Sequence, residues 1–180
     1  HLAACRVIPN HIVMRPCDAV EAVECWQIAL ESKTTPSTLV LTRQKLKPAR
    51  LTYAAKNLSA QGAYEIAGSA RKSKAVIFAS GSEVEIAIQA KEMLDKKGIA
   101  TRVVSVPSME LFERQSKATK AKVMGTEKIR IAVEAGLRQG WDRFIGTEGK
   151  FIGMTGFGAS APAEELYKHF GITAKAVVKA

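Results

Sequence analysis

One short stretch limits the choice of fold more than any other. Thr38-Leu39-Val40-Leu41-Thr42 is an unbroken apolar run flanked by Pro36 and by charge. Alternation of apolar and polar residues would mark a sheet with one wet face. A continuous run marks a strand covered on both faces, the usual state in a parallel sheet. A second β-like run, His11-Ile12-Val13-Met14, precedes it, and the residues between carry helix signals. Asp18 is a good N-cap, and Glu21 three residues later makes a capping-box-like pair. Val20, Val23, Trp26, Ile28 and Leu30 fit a helix over 19–31 packed against something large. Strand, helix and strand make a βαβ unit with parallel strands and a right-handed crossover.

A second α/β series starts at Ala75. Val76–Ala79, Thr101–Val106, Ile129–Val133 and Phe151–Met154 read as strands. A helix from Ser82 to about Lys97, stopped by Gly98, follows the first of them, with Ser82 and Glu85 as a second capping box. Residues 108–125 read as a helix with an irregular stretch, and 136–146 as a short helix. Pro162 opens a helix over 163–170, and Thr173 caps a last one over 172–179. This alternation predicts a doubly wound sheet with helices on both faces. The periodicity fades between Lys45 and Lys74, with a short β-like run at Tyr64-Glu65-Ile66, so the linker falls there.

Composition excludes some classes. Of the 180 residues, 47% are hydrophobic and 24% charged, enough apolar material for a core and too much for disorder. No apolar run approaches the roughly 18 residues of a membrane span. The chain opens His1-Leu2-Ala3 without Met, and reads as starting inside a longer sequence. Cys5, Cys17 and Cys25 form no CxxC and no zinc pattern, and read as buried free thiols of a reducing cytoplasm. The net charge of +10 is spread out: Lys45, Lys47, Arg50 and Lys56, then Arg71, Lys72 and Lys74, then Lys117, Lys120 and Lys122. Aromatics are not interleaved as stacking on single-stranded nucleic acid requires, so no nucleic-acid partner is expected.

Ligands of open α/β sheets bind beyond the carboxyl ends of the strands. Arg15 and Arg43 stand there in the first unit, where a guanidinium can grip a phosphate through two parallel hydrogen bonds. The alternatives are a salt bridge holding the loop for Arg15 and a surface ion pair for Arg43. Gly81-Ser82 at a helix start and Gly156 and Gly158 after a strand are weaker phosphate candidates; capping and a structural turn explain them as well. Glu134 follows a buried strand, where burial would raise its pKa, yet no acid, base or nucleophile partner is identifiable. His11 and His169 are isolated.

Together these motifs resemble the transketolase family. Arg15-Pro16-Cys17-Asp18-Ala19-Val20-Glu21 with Trp26 is similar to the family's RPxDxxE segment, and Leu41-Thr42-Arg43-Gln44 to its SRQ motif with Thr42 for Ser. Ala79-Ser80-Gly81-Ser82-Glu83-Val84 resembles the GSEV start of its C-terminal domain. Val106-Pro107-Ser108, Val133-Glu134-Ala135-Gly136 and the run from Gly153 to Pro162 follow in the family's order. The resemblance implies the end of a pyrimidine-binding domain over 1–46, a linker over 47–73 and a three-layer, mostly parallel C-terminal domain over 74–180.

It also implies the transfer of a two-carbon ketol unit between sugar phosphates in the pentose phosphate pathway. Thiamine diphosphate and Mg or Ca would serve a cytoplasmic homodimer. Carried over residue by residue, Arg43 alone lands on a family binding position, that of the sugar phosphate. No catalytic, cofactor or metal residue carries over: the GDG motif, the activating glutamate and the THQP-like histidine have no counterpart here, and His1 is not that histidine. The expectation is therefore a C-terminal piece that binds no cofactor and does not turn over alone. Dihydroxyacetone synthase, deoxyxylulose-phosphate synthase and the β chain of a 2-oxoacid dehydrogenase are the alternatives within the class. A free-standing α/β anion-binding module is the alternative outside it.

Overall fold

The structure is a computed structural model that describes residues 1–68 and 72–180. Residues 69–71, near the end of the predicted linker and including Arg71, lie outside the described residues. The first unit begins with helix α1 (Leu2–Arg6), which the sequence pattern did not reveal. Strand β1 (Ile12–Met14), helix α2 (Ala19–Glu31) and strand β2 (Ser37–Leu39) follow. β1 and β2 pair in parallel, Ile12 opposite Ser37 and Met14 opposite Leu39, so the βαβ reading holds. The predicted strand over 38–42 is shorter than its apolar run: Val40 still donates to the Met14 carbonyl at 2.8 Å, and pairing stops there.

Helix α2 corrects one expectation. Asp18 caps it as predicted, accepting from the Glu21 amide at 2.9 Å. Glu21 reaches back to the Cys17 amide at 2.7 Å, one residue before the cap. The apolar stripe, however, is not the buried face. Val23 is 70% and Leu30 78% exposed, with Val20 and Trp26 also open, whereas Glu21, Glu24 and Cys25 are buried. The helix turns carboxylates inward because the neighbouring chain brings matching donors. Glu24 takes both terminal nitrogens of Arg50 (3.0 and 2.6 Å), the Ser59 amide and hydroxyl, and the Leu58 amide.

The second unit is a five-stranded sheet of β3 (Tyr64–Ala67), β4 (Ala75–Ala79), β5 (Thr101–Ser105), β6 (Ile129–Val133) and β7 (Lys150–Ile152), in the order β3-β5-β4-β6-β7. Every pair is parallel except β3 with β5. The β-like run in the predicted linker is thus an antiparallel edge of this sheet. Helices α3 (Glu83–Lys96) and α8 (Ala174–Lys179) cover one face through Ile77, Ala79, Val103, Ile131 and Val133. On the other face, α4 (Met109–Glu113), α5 (Lys117–Met124) and α6 (Asp142–Ile145) pack on Val76, Phe78, Val104 and Ala132. Alternate residues of one buried strand therefore feed two cores, which is why those strands read as unbroken apolar runs. Helix α7 (Ala163–His169) lies at the rim of the first core through Tyr167.

Local signals are obeyed where a side chain can reach. Gly98, at φ +77°, ends α3 with paired bonds from Gly98 to Asp95 and Ile99 to Leu94. Thr173 caps α8. Ser82 does not cap α3: its backbone is already helical and its hydroxyl donates to Glu83, so the predicted box with Glu85 does not form.

Candidate functional site

The two units meet at the carboxyl ends of the strands. β4 passes into α3 on one face of the sheet, and β6 passes toward α6 on the other. This reversal between neighbouring strands opens the crevice in which such sheets hold ligands. Its rim carries two fully buried carboxylates, Glu83 and Glu134. Two guanidiniums of the first unit fill it. Arg6 binds Glu134 in fork-to-fork fashion, at 2.8 and 2.7 Å. Arg15 Nη1 donates to the Ser80 carbonyl (2.9 Å), the Ser80 hydroxyl (3.1 Å) and Glu83, and stands 3.8 Å from Glu134. The Ser80 hydroxyl and the Trp141 indole N–H complete the shell of Glu134 at 2.5 and 2.8 Å.

Two sequence expectations are settled by this cluster. Arg15 forms a salt bridge, but to the second unit rather than within its own loop. Burial alone would raise the pKa of Glu134; the Arg6 guanidinium, Arg15 and the Ser80 hydroxyl outweigh it and hold the carboxyl below its usual range, contrary to the expected rise. For Arg15, burial opposes the charge, but Glu83 and Glu134 more than restore it. Sequence reasoning missed Arg6 altogether, because its partner lies 128 residues away and its helix is five residues long.

Beside the cluster a cleft of about 840 Å³ opens between the units. Arg15, Thr42, Gln44, Gly81, Ser82 and Tyr167 supply polar groups to its wall, with Gly156, Phe157 and Gly158 across from them. Arg43 follows Thr42 and precedes Gln44, both of which line the cleft, but does not itself line it; it is exposed, with no hydrogen bond or ion pair among the described residues. No Cβ at Gly156 or Gly158 would meet another atom, so that loop is open, with no group against which the two glycines close. His11 bonds Thr38 Oγ1 at 2.8 Å, and His169 is exposed against Phe170; neither reaches the cleft. The three cysteines are unpaired, Cys17 and Cys25 buried and Cys5 partly so. Burial, reinforced by Glu21, pushes the Cys25 thiol up to about 12. Among the described residues no three His, Cys, Asp or Glu side chains gather as a metal-ligand set.

An open, mostly parallel α/β sheet whose strand-end crevice is closed by a second βαβ unit defines the architectural class. Comparison with known proteins narrows it. The family model described as transketolase-like TK C-terminal domain matches residues 62–173, and that of the transketolase pyrimidine-binding domain matches 1–48. The transketolase of Rhodobacter capsulatus is 50% identical over 98% of this chain and 27% of its own length; that of Sinorhizobium medicae is 53% identical over 99% and 26%. Among solved structures, Leishmania mexicana transketolase superposes with a TM-score of 0.88 at 38% identity, over 98% of this chain and 25% of the other. A Pichia stipitis transketolase complex with sedoheptulose 7-phosphate gives 0.89 at 34%, over 99% and 25%. The chain belongs to the transketolase family. It spans about a quarter of the length of the curated relatives it matches.

Proposed function

We propose that these 180 residues serve a transketolase as its C-terminal share. That enzyme moves a two-carbon ketol unit from a ketose phosphate to an aldose phosphate in the pentose phosphate pathway, as a cytoplasmic homodimer. Thiamine diphosphate, held with a divalent metal by the remaining part of the enzyme, supplies the electron sink for that chemistry. The role of this chain is to hold the sugar phosphate through Arg43 and to fix the wall of the cleft. One observation carries the reading: Arg43 is an exposed guanidinium without a protein partner among the described residues. It stands just past β2, between Thr42 and Gln44, which line the cleft, and inside the stretch that matches the pyrimidine-binding domain. The arginines that brace the fold are bonded, Arg6, Arg15, Arg50 and Arg102 in ion pairs and Arg130 to backbone carbonyls.

The test is Arg43→Ala in the whole enzyme. A charge-assisted bond is worth roughly 1.5–3 kcal/mol, so KM for phosphorylated sugars should rise about 10- to 150-fold. KM for the same aldose without its phosphate should barely move. An equal loss with both acceptors would sink the assignment.

A further inference from the structure

The segment that carries Arg43 hangs from one short piece of chain. At its near end the Val40 amide donates to the Met14 carbonyl at 2.8 Å. At its far end the Ala49 and Arg50 amides both donate to Asp18 Oδ2 at 3.0 Å, while Asp18 Oδ1 caps α2. Both ends of the segment over 41–48 are therefore set by the residues from Met14 to Asp18. Between the ends, the Gln44 amide bonds Thr42 Oγ1 at 3.1 Å, and Lys47 stands 3.7 Å from Glu85.

That mount is itself fixed to the second unit. Arg15 donates its amide to the Pro107 carbonyl at 2.8 Å and accepts from the Gly81 amide at 2.9 Å. Its guanidinium is held by Ser80 and Glu83. Two residues on, the Cys17 amide is held by Glu21, whose other oxygen accepts from Ser105 at 2.6 Å and Tyr64 at 2.7 Å. A continuous set of hydrogen bonds runs from the ends of β4 and β5, through 14–18, to both ends of the Arg43 segment.

We propose that Asp18 and Glu83 are positioning residues for Arg43: neither touches the sugar phosphate, and together they fix where the guanidinium stands. The inference rests on the reading of Arg43 as the phosphate ligand. Displacement of a binding group by about 1 Å can cost a reaction on the order of 100-fold, so such a mount has kinetic weight. Asp18→Asn separates the two duties of Asp18. One carboxamide oxygen can serve the helix cap or the two loop amides, but not both, and asparagine is a good cap.

The experiment compares wild type, Asp18→Asn, Glu83→Gln, Arg43→Ala and the Asp18→Asn/Arg43→Ala double variant in the whole enzyme. It reads KM and kcat for an acceptor aldose phosphate against the same aldose without phosphate. The expected result is about a tenfold rise in the ratio of the two KM values for Asp18→Asn and Glu83→Gln. In the Arg43→Ala background, Asp18→Asn should produce no further rise. If Arg43→Ala moves the ratio and Asp18→Asn does not, or if the Asp18 effect persists without Arg43, the positioning role is overturned. If Arg43→Ala leaves the ratio unchanged, the reading beneath falls and takes this inference with it. Amide hydrogen exchange on the whole enzyme gives a readout independent of activity. Asp18→Asn should speed exchange over 41–50 while β4 and β6 stay protected; uniform acceleration would mean a merely structural residue.

Discussion

At the scale of single residues, the outcome turns on charges placed where charges are costly. Glu134 is wholly buried, and it is tolerable there because Arg6, Ser80 and Trp141 satisfy both of its oxygens. Breaking such a pair from one side leaves a bare buried charge, so Arg6→Met should destabilise the chain by about 3–5 kcal/mol in urea unfolding. The pH dependence has a definite sign. A carboxyl whose folded pKa lies below its unfolded value of about 4.3 adds stability that is complete above that value and disappears as pH falls through the folded one. Between about pH 6 and pH 3, Glu134→Gln should therefore lose less stability than wild type. A parallel fall in both proteins would show that Glu134 is not the group responsible. Glu21 is displaced the other way: burial raises its pKa, and Ser105, Tyr64 and the Cys17 amide recover only part of that. Of this, only the burial of Glu134 was legible in the sequence; the groups that set its charge were not. An acidic residue after an apolar strand suggests burial, but its cationic partner lies beyond any local window. Arg43 could be proposed from the sequence because that reading needs no partner, only a position past a strand and a resemblance to the family's motif.

At the scale of elements, capping chemistry was legible where backbone geometry leaves a side chain to do the capping. Asp18 and Thr173, the caps read from the sequence, accept from the amide three residues on, and Ser108 and Ser116, which the sequence reading did not single out, do the same. Ser82 fails because the chain has already entered helical geometry at that residue, so its hydroxyl has no free amide to meet. Helix α2 shows the limit of periodicity. Its stripe of Val20, Val23, Trp26 and Leu30 predicts a face but not what covers it, and the side that packs here is the one bearing Glu21, Glu24 and Cys25. This inversion gives a sharp contrast in stability. Leu30→Ser, at an open position, should change the unfolding free energy of the 180-residue chain by less than about 0.5 kcal/mol. Glu24→Ala would strand the Arg50 guanidinium and the Ser59 and Leu58 amides, and should cost about 3–5 kcal/mol. Comparable losses from the two substitutions would mean that the apolar stripe, and not the carboxylate, holds α2 in place.

At the scale of the whole molecule, two half-independent requirements explain why the chain folds as it does and what it lacks for chemistry. The five-stranded sheet has a core on each face and needs nothing further to bury its strands. The β1–β2 pair is too small to stand alone; two strands gain stability only when packed on another layer. Arg6 and Arg15 supply that attachment by entering the crevice at the strand ends of the sheet, the place where a ligand would otherwise bind. Among the described residues no cluster of metal ligands gathers at the remaining cleft. The relatives have about three-quarters of their length outside the matched stretch. Calorimetric titration of the 180-residue chain with thiamine diphosphate and magnesium should therefore show no saturable heat up to millimolar cofactor. A site of micromolar affinity would mean that the cleft supplies a pyrophosphate cradle, with the open loop at Gly156 and Gly158 as the first place to look for it.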